Sequence, residues 1–136
     1  HHLIITMRSL LFLLILTGLS LKANCQANLT IENDSDRKMF VKLMEGKGKK
    51  STLYSMVVIN AHETQIVNFS KTGFYYTKMM AELEGRETVY QKGKPMKIIS
   101  DSKGYTKAKL VFSIKESKIP MASGGEKITR EEYELN

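Results

Sequence analysis

Strict alternation from Tyr105 to Glu116, YTKAKLVFSIKE, constrains this chain more than any other feature. Ala108, Leu110, Phe112 and Ile114 fall on one side, and Lys107, Lys109, Val111, Ser113 and Lys115 on the other. That is the two-residue period of a half-buried β-strand. Such a strand must press its apolar face against another layer, so the chain is expected to build an all-β domain of packed sheets.

Shorter runs of the same kind precede it. Leu29 and Ile31 alternate with polar neighbours up to the turn-forming Asn33, Asp34 and Ser35, and Met39, Val41 and Leu43 continue the pattern. Gly46-Lys47-Gly48-Lys49-Lys50 then reads as a charged hairpin tip. It is not a phosphate-binding loop, because the earlier glycine is missing and Lys50 stands where Ser or Thr must follow the lysine. Leu53–Ile59, LYSMVVI, is the most apolar run and is expected to be a central strand buried on both faces. A fourth strand runs through Ile66, Val67 and Phe69, and the longest spans Phe74–Leu83, with Tyr75, Thr77, Met79 and Ala81 on one face and Phe74, Tyr76, Lys78 and Met80 on the other. Helix is the rival for Thr77–Glu84, but the alternation favours strand.

After Val89 and Tyr90 comes a basic loop, Lys92-Gly93-Lys94-Pro95, then a strand at Met96–Ile99. Asp101–Gly104 is read as a tight turn that makes Tyr105–Glu116 the second arm of a hairpin begun at Met96. Seven or eight strands are the complement of a β-sandwich, immunoglobulin-like or transthyretin-like and mainly antiparallel, over 28–119. Residues 120–136 read as a tail with Ser123-Gly124-Gly125 as a flexible joint. Thr129 and Glu132 stand at capping-box spacing before a short helical turn.

The front of the chain reads as an address. An upstream extension, 1–6, precedes Met7, and 7–27 has signal-peptide layout: Arg8, an apolar run from Leu10 to Leu21, and small residues near Ala27. That run is too short for a comfortable membrane span, so no transmembrane segment is expected after cleavage. Cleavage after Ala27 removes Cys25, the only cysteine; lipidation of Cys25 is the alternative, disfavoured by Asn24 just before it. Either way no internal disulfide forms. An exported protein, periplasmic or extracellular, is the expectation.

Removing Arg8 and Lys22 leaves 19 basic against 14 acidic residues, and the excess is concentrated at 37–50 and 86–109. A basic exported domain suits a protein or an anionic envelope glycan as partner, and export argues against a specific nucleic-acid ligand. The candidate surface comprises Lys47, Lys49, Lys50, Tyr90, Lys92, Lys94, Lys97, Tyr105, Lys107 and Lys109. No nucleophile setting or carboxylate pair stands out, so the expectation is a binding protein rather than an enzyme, with no cofactor. Two alternatives compete. A periplasmic small-ligand or copper-type metal carrier would use His62 with methionines such as Met39, Met56 and Met96. A small glycan-acting enzyme would need two carboxylates converging in space.

At YQKGKPMKI (90–98), GYTKAKLVFSIKES (104–117) and the ending ITREEYELN, the chain resembles small exported proteins of Bacteroidetes-type bacteria whose function is not established. The resemblance implies export and an all-β fold, and carries no catalytic residue across.

Overall fold

The computed structural model describes residues 26–136, so residues 1–25 of the signal-peptide reading, Cys25 included, lie outside the described residues, while Ala27, its expected last residue, is described and buried. The expected all-β sandwich is what forms. One sheet contains β1 (Ala27–Asp34), β4 (Thr64–Phe69), β10 (Lys107–Lys115) and β11 (Met121–Ala122), in the order β11-β10-β1-β4. The other contains β2 (Lys38–Glu45), β3 (Thr52–Ile59), β5 (Gly73–Glu82), β6 (Val89–Lys92) and β12 (Glu126–Lys127), in the order β12-β6-β5-β2-β3. The short β7 (Met96–Ile98) also pairs with β5, and β8 (Ser100–Asp101) pairs with β9 (Gly104–Tyr105). A single helical turn, α1 (Arg130–Glu134), follows β12.

Alternation does the sorting. Ala27, Leu29 and Ile31 of β1, Met39, Val41 and Leu43 of β2, and Tyr75, Met79 and Ala81 of β5 meet with Phe69, Ile98 and Phe112 in one buried cluster between the sheets. Tyr54, Phe69 and Tyr75 form an aromatic group at one end, with ring centroids 4.6 to 5.3 Å apart. The hydroxyls reach the rim, where Tyr54 Oη donates to the Asn68 carbonyl and Tyr75 Oη to that of Lys71. Burial of the ring with a hydrogen-bonded polar tip is what such residues gain in a core.

Three sequence expectations need correction. LYSMVVI is not central: β3 is the edge strand, paired only with β2, and Leu53, Met56 and Val58 are 40 to 46% exposed. An apolar run is buried on both faces only where both are covered. Here the outer cover is α1, which packs on β5 and β6, and β2 takes the doubly buried place with Val41, Lys42, Leu43 and Met44 all buried. Secondly, the Asp101–Gly104 turn joins only the two-residue arms β8 and β9, after which the chain changes sheets. β7 has three residues and stays on β5, whereas β10 runs parallel to β1 with Leu29 beside Ala108 and Ile31 beside Leu110. The full eight-residue edge of β1 offers β10 a far longer ladder than β7 could. Thirdly, 120–136 is woven into the sandwich: β11 pairs with β10, β12 with β6, and Ile128 and Tyr133 are buried.

A polar clasp that the sequence reading missed ties the sheets together at one end. Arg37, between β1 and β2, is fully buried. Its Nε and Nη2 donate to the two Glu116 carboxylate oxygens at 2.8 and 3.1 Å, while Nη1 donates to the Ala81 and Glu87 carbonyls. Bidentate pairing suits a guanidinium, and a buried charge needs its donors filled. Next to it the buried Asn33 amide donates to the carbonyls of Arg37 and Ile59 and accepts from Ser35 Oγ.

Candidate functional site

The outer face of the larger sheet carries an unusual row. Lys42 on β2 stands opposite Lys78 on β5, and Lys78 opposite Lys92 on β6. Like charges facing one another across strands are unfavourable. The end of the chain relieves this. Lys42 Nζ donates to the Tyr133 carbonyl and Asn136 Oδ1, both at 2.9 Å. Lys78 Nζ donates to the carbonyls of Glu132 and Leu135 at 2.8 and 2.7 Å, and Lys92 pairs with the Glu132 carboxylate at 3.3 Å. A helix leaves its last carbonyls without intrahelical partners, and cations complement that end. Five residues of helix are too few to persist alone, so these contacts hold α1 in place.

The sequence prepares this docking locally. Thr129 Oγ1 accepts from the Glu132 backbone N–H at 3.2 Å, as the capping spacing predicts. The Tyr133 ring lies 5.7 Å from that of Tyr90 and under the Lys42 ammonium at 4.5 Å. Burial pushes the Tyr133 hydroxyl up to about 12. Burial likewise lowers both lysines, and for Lys78 the neighbouring Lys42 and Lys92 charges add to the effect.

Beyond the end of α1 the covered row opens into a cleft of about 540 Å³. Lys47 and Lys49 of the β2–β3 hairpin line one side, Lys92 and Gly93 the other, and Lys78 and Tyr76 the floor. Two loops more than forty residues apart in sequence thus face one another across the sheet. Gly46, at φ 122°, makes the bend that starts the first loop, in a region that side chains avoid. The Lys47 ammonium sits 3.6 Å over the Phe74 ring, and Lys97 is the cross-strand neighbour of Phe74. A groove of about 910 Å³ continues from Lys94 and Pro95 toward Leu110 and Phe112.

The candidate residues therefore divide. Lys47, Lys49, Lys92 and Lys94 gather around the cleft and its continuation, while Lys97 stands on β7 outside their lining and Lys50 is exposed at the hairpin tip. Tyr90 is half-covered by Tyr133. Tyr105 lies on the β8–β9 hairpin, and Lys107 and Lys109 stand on β10 in the other sheet, where Lys109 pairs with Glu32 at 3.2 Å. Sequence reasoning missed Lys42, Lys78 and Tyr76. A signal was available: the alternation of β5 puts Tyr76 and Lys78 on one face, and a lysine inside YYTKMM demands a partner.

His62 sits in the turn between β3 and β4 at φ 60°, not in a strand, with Nε2 2.8 Å from Asp36 Oδ1. Both side chains are largely exposed. Among the described residues no three His, Cys, Asp or Glu side chains are grouped to hold a metal ion, and no helix is long and apolar enough to cross a membrane. No family model, curated protein or solved structure matches this chain.

Proposed function

We propose that this is a non-enzymatic, exported binding protein whose basic cleft takes an anionic glycan. The supporting observation is the convergence of Lys47, Lys49, Lys78 and Lys92 on one cleft whose lining has a single acidic side chain, Glu132, already engaged by Lys92. Lysine is a compact, mobile point charge, suited to irregularly spaced anionic groups on a polymer rather than to one planar carboxylate. Phe74, partly exposed on the same sheet, holds the Lys47 ammonium over its ring. An acidic protein segment is the competing occupant.

Retention of the protein on immobilised heparin or polygalacturonate, against neutral dextran and poly-glutamate, tests this reading. The glycans are expected to retain it in a salt-sensitive manner and more strongly than poly-glutamate. Changing Lys47, Lys49 and Lys94 to Glu is expected to abolish retention, whereas changing Lys107 and Lys109 is not. Equal loss from both sets means that net charge alone is responsible.

A further inference from the structure

On one flank of the sandwich the two sheets end side by side, the larger at β3 and the smaller at β4, and Tyr54 Oη bridges them by donating to the Asn68 carbonyl. β4 is the shorter edge, exposes the polar Thr64, Gln65 and Asn68, and has that carbonyl already engaged. β3 is different. Its eight residues, TLYSMVVI, include no charge and no proline, and Met56 and Val58 are exposed. Charges and prolines are what ordinarily keep an open edge from pairing with another chain.

The ladder shows which backbone groups of β3 are open. Gly46 N donates to the Phe74 carbonyl, so with a period of two the even-numbered residues of β2 turn toward β5, and Met39, Val41 and Leu43 turn toward β3. Their partners are Ile59, Val57 and Ser55. The N–H and C=O groups of Met56 and Val58 therefore point away from β2, and among the described residues no strand meets them.

Charge identifies the occupant. Exposed Lys49 and Lys50 stand before the start of β3, and exposed Asp36 and Glu63 lie at its other end, where Asp36 meets His62 of the β3–β4 turn. The contrary charges nearby are engaged, since Glu45 pairs with Lys71 and Lys38 lies over the Phe40 ring. A strand uncharged along its length and opposite in sign at its two ends is complementary to itself turned end for end. We infer that a second copy of this chain pairs with β3, antiparallel, about a twofold axis at Val57. Met56 of each copy then exchanges backbone hydrogen bonds with Val58 of the other, and the Lys49–Lys50 end of each faces the Asn60–Glu63 turn of the other. Parallel pairing would set like charges together. Lys50 and Val58 do not line the basic cleft, so the inference stands apart from glycan binding.

The test is sedimentation equilibrium of the protein. One strand per copy makes a small interface, so a dimer with a dissociation constant of roughly 10 to 100 µM is expected. Amide exchange at Met56 and Val58 is expected to slow as concentration rises through that range. Val58→Lys, at an exposed position whose backbone groups take no part in the β2 ladder, is expected to weaken the dimer about tenfold or more. Lys50→Glu and Glu63→Lys are each expected to weaken it about threefold, and the double variant, which exchanges the two signs, to restore it. Within one chain these two residues stand at opposite ends of β3, so a second copy must carry the rescue. The inference is overturned if the protein stays monomeric up to about 1 mM, if Val58→Lys dimerises as the parent does, or if the double variant is no tighter than the single ones. Should Val58→Lys fail to fold, the exposed charge variants decide.

Discussion

Glu116→Ala isolates the clasp between the sheets. In the native structure the carboxylate accepts two hydrogen bonds from a guanidinium that has no exposure to water, with Arg86 adding a second cation at 3.6 Å. Removing it leaves Arg37 charged, buried and half unpaired, although the Ala81 and Glu87 carbonyls remain. Breaking a buried pair from one side costs about 3 to 5 kcal/mol. Glu116 is 30% exposed and water can partly replace it, so the lower end, about 3 kcal/mol, is expected here. For a domain of this size that lowers Tm by about 12 °C. The same pair sets an acid limit. Hydrogen bonds from Arg37 hold the Glu116 carboxyl below its ordinary 4.5. Its contribution is therefore complete above that value and is lost as pH falls through the lower folded one. Calorimetry between neutral pH and pH 3 should show the variant already destabilised at neutral pH and less sensitive to acid than the parent. A variant within about 2 °C of the parent, with the same acid profile, would refute the reasoning.

Tyr133 and the buried lysines predict a pH profile at the other extreme. Lys42 and Lys78 titrate below their ordinary 10.5 in the fold, so stability rises as pH climbs from their folded values to 10.5; Tyr133, raised from 10.0 to about 12, removes stability between those two values. Phenolate absorbance is expected to reveal Tyr133 among the late-titrating tyrosines, with Tyr75 also raised by burial, and loss of α1 docking as Tyr133 ionises. Edge and centre can be separated by truncation: Leu43→Ala on β2 is expected to cost about 2 to 5 kcal/mol, and Leu53→Ala on β3 under about 1, measured by urea unfolding.

Much of the fold was legible because alternation reports one face of each strand. Met39, Val41 and Leu43 and the apolar positions of β10 lie inward as their spacing requires. What alternation cannot report is the neighbour. LYSMVVI looked central because apolarity on two faces implies two covers, yet the second cover comes from a helix more than seventy residues onward that packs on β5 and β6. A turn signal at Asp101–Gly104 likewise reports a reversal over four residues and nothing about where the strands go afterwards. The basic loops were legible as composition, but their facing one another depends on the β2–β5–β6 order. Lys42 and Lys78 were hidden for a related reason: only the fold shows that the chain's own carbonyls meet them.

The cleft between the two basic loops is the proposed glycan site. Mapping the amide shift changes caused by a short sulfated oligosaccharide tests it directly. The expected pattern is a continuous patch over residues 46–51, 76–78 and 92–97, with 105–109 unmoved. Shift changes spread evenly over lysines of both sheets, or confined to 105–109, would contradict it.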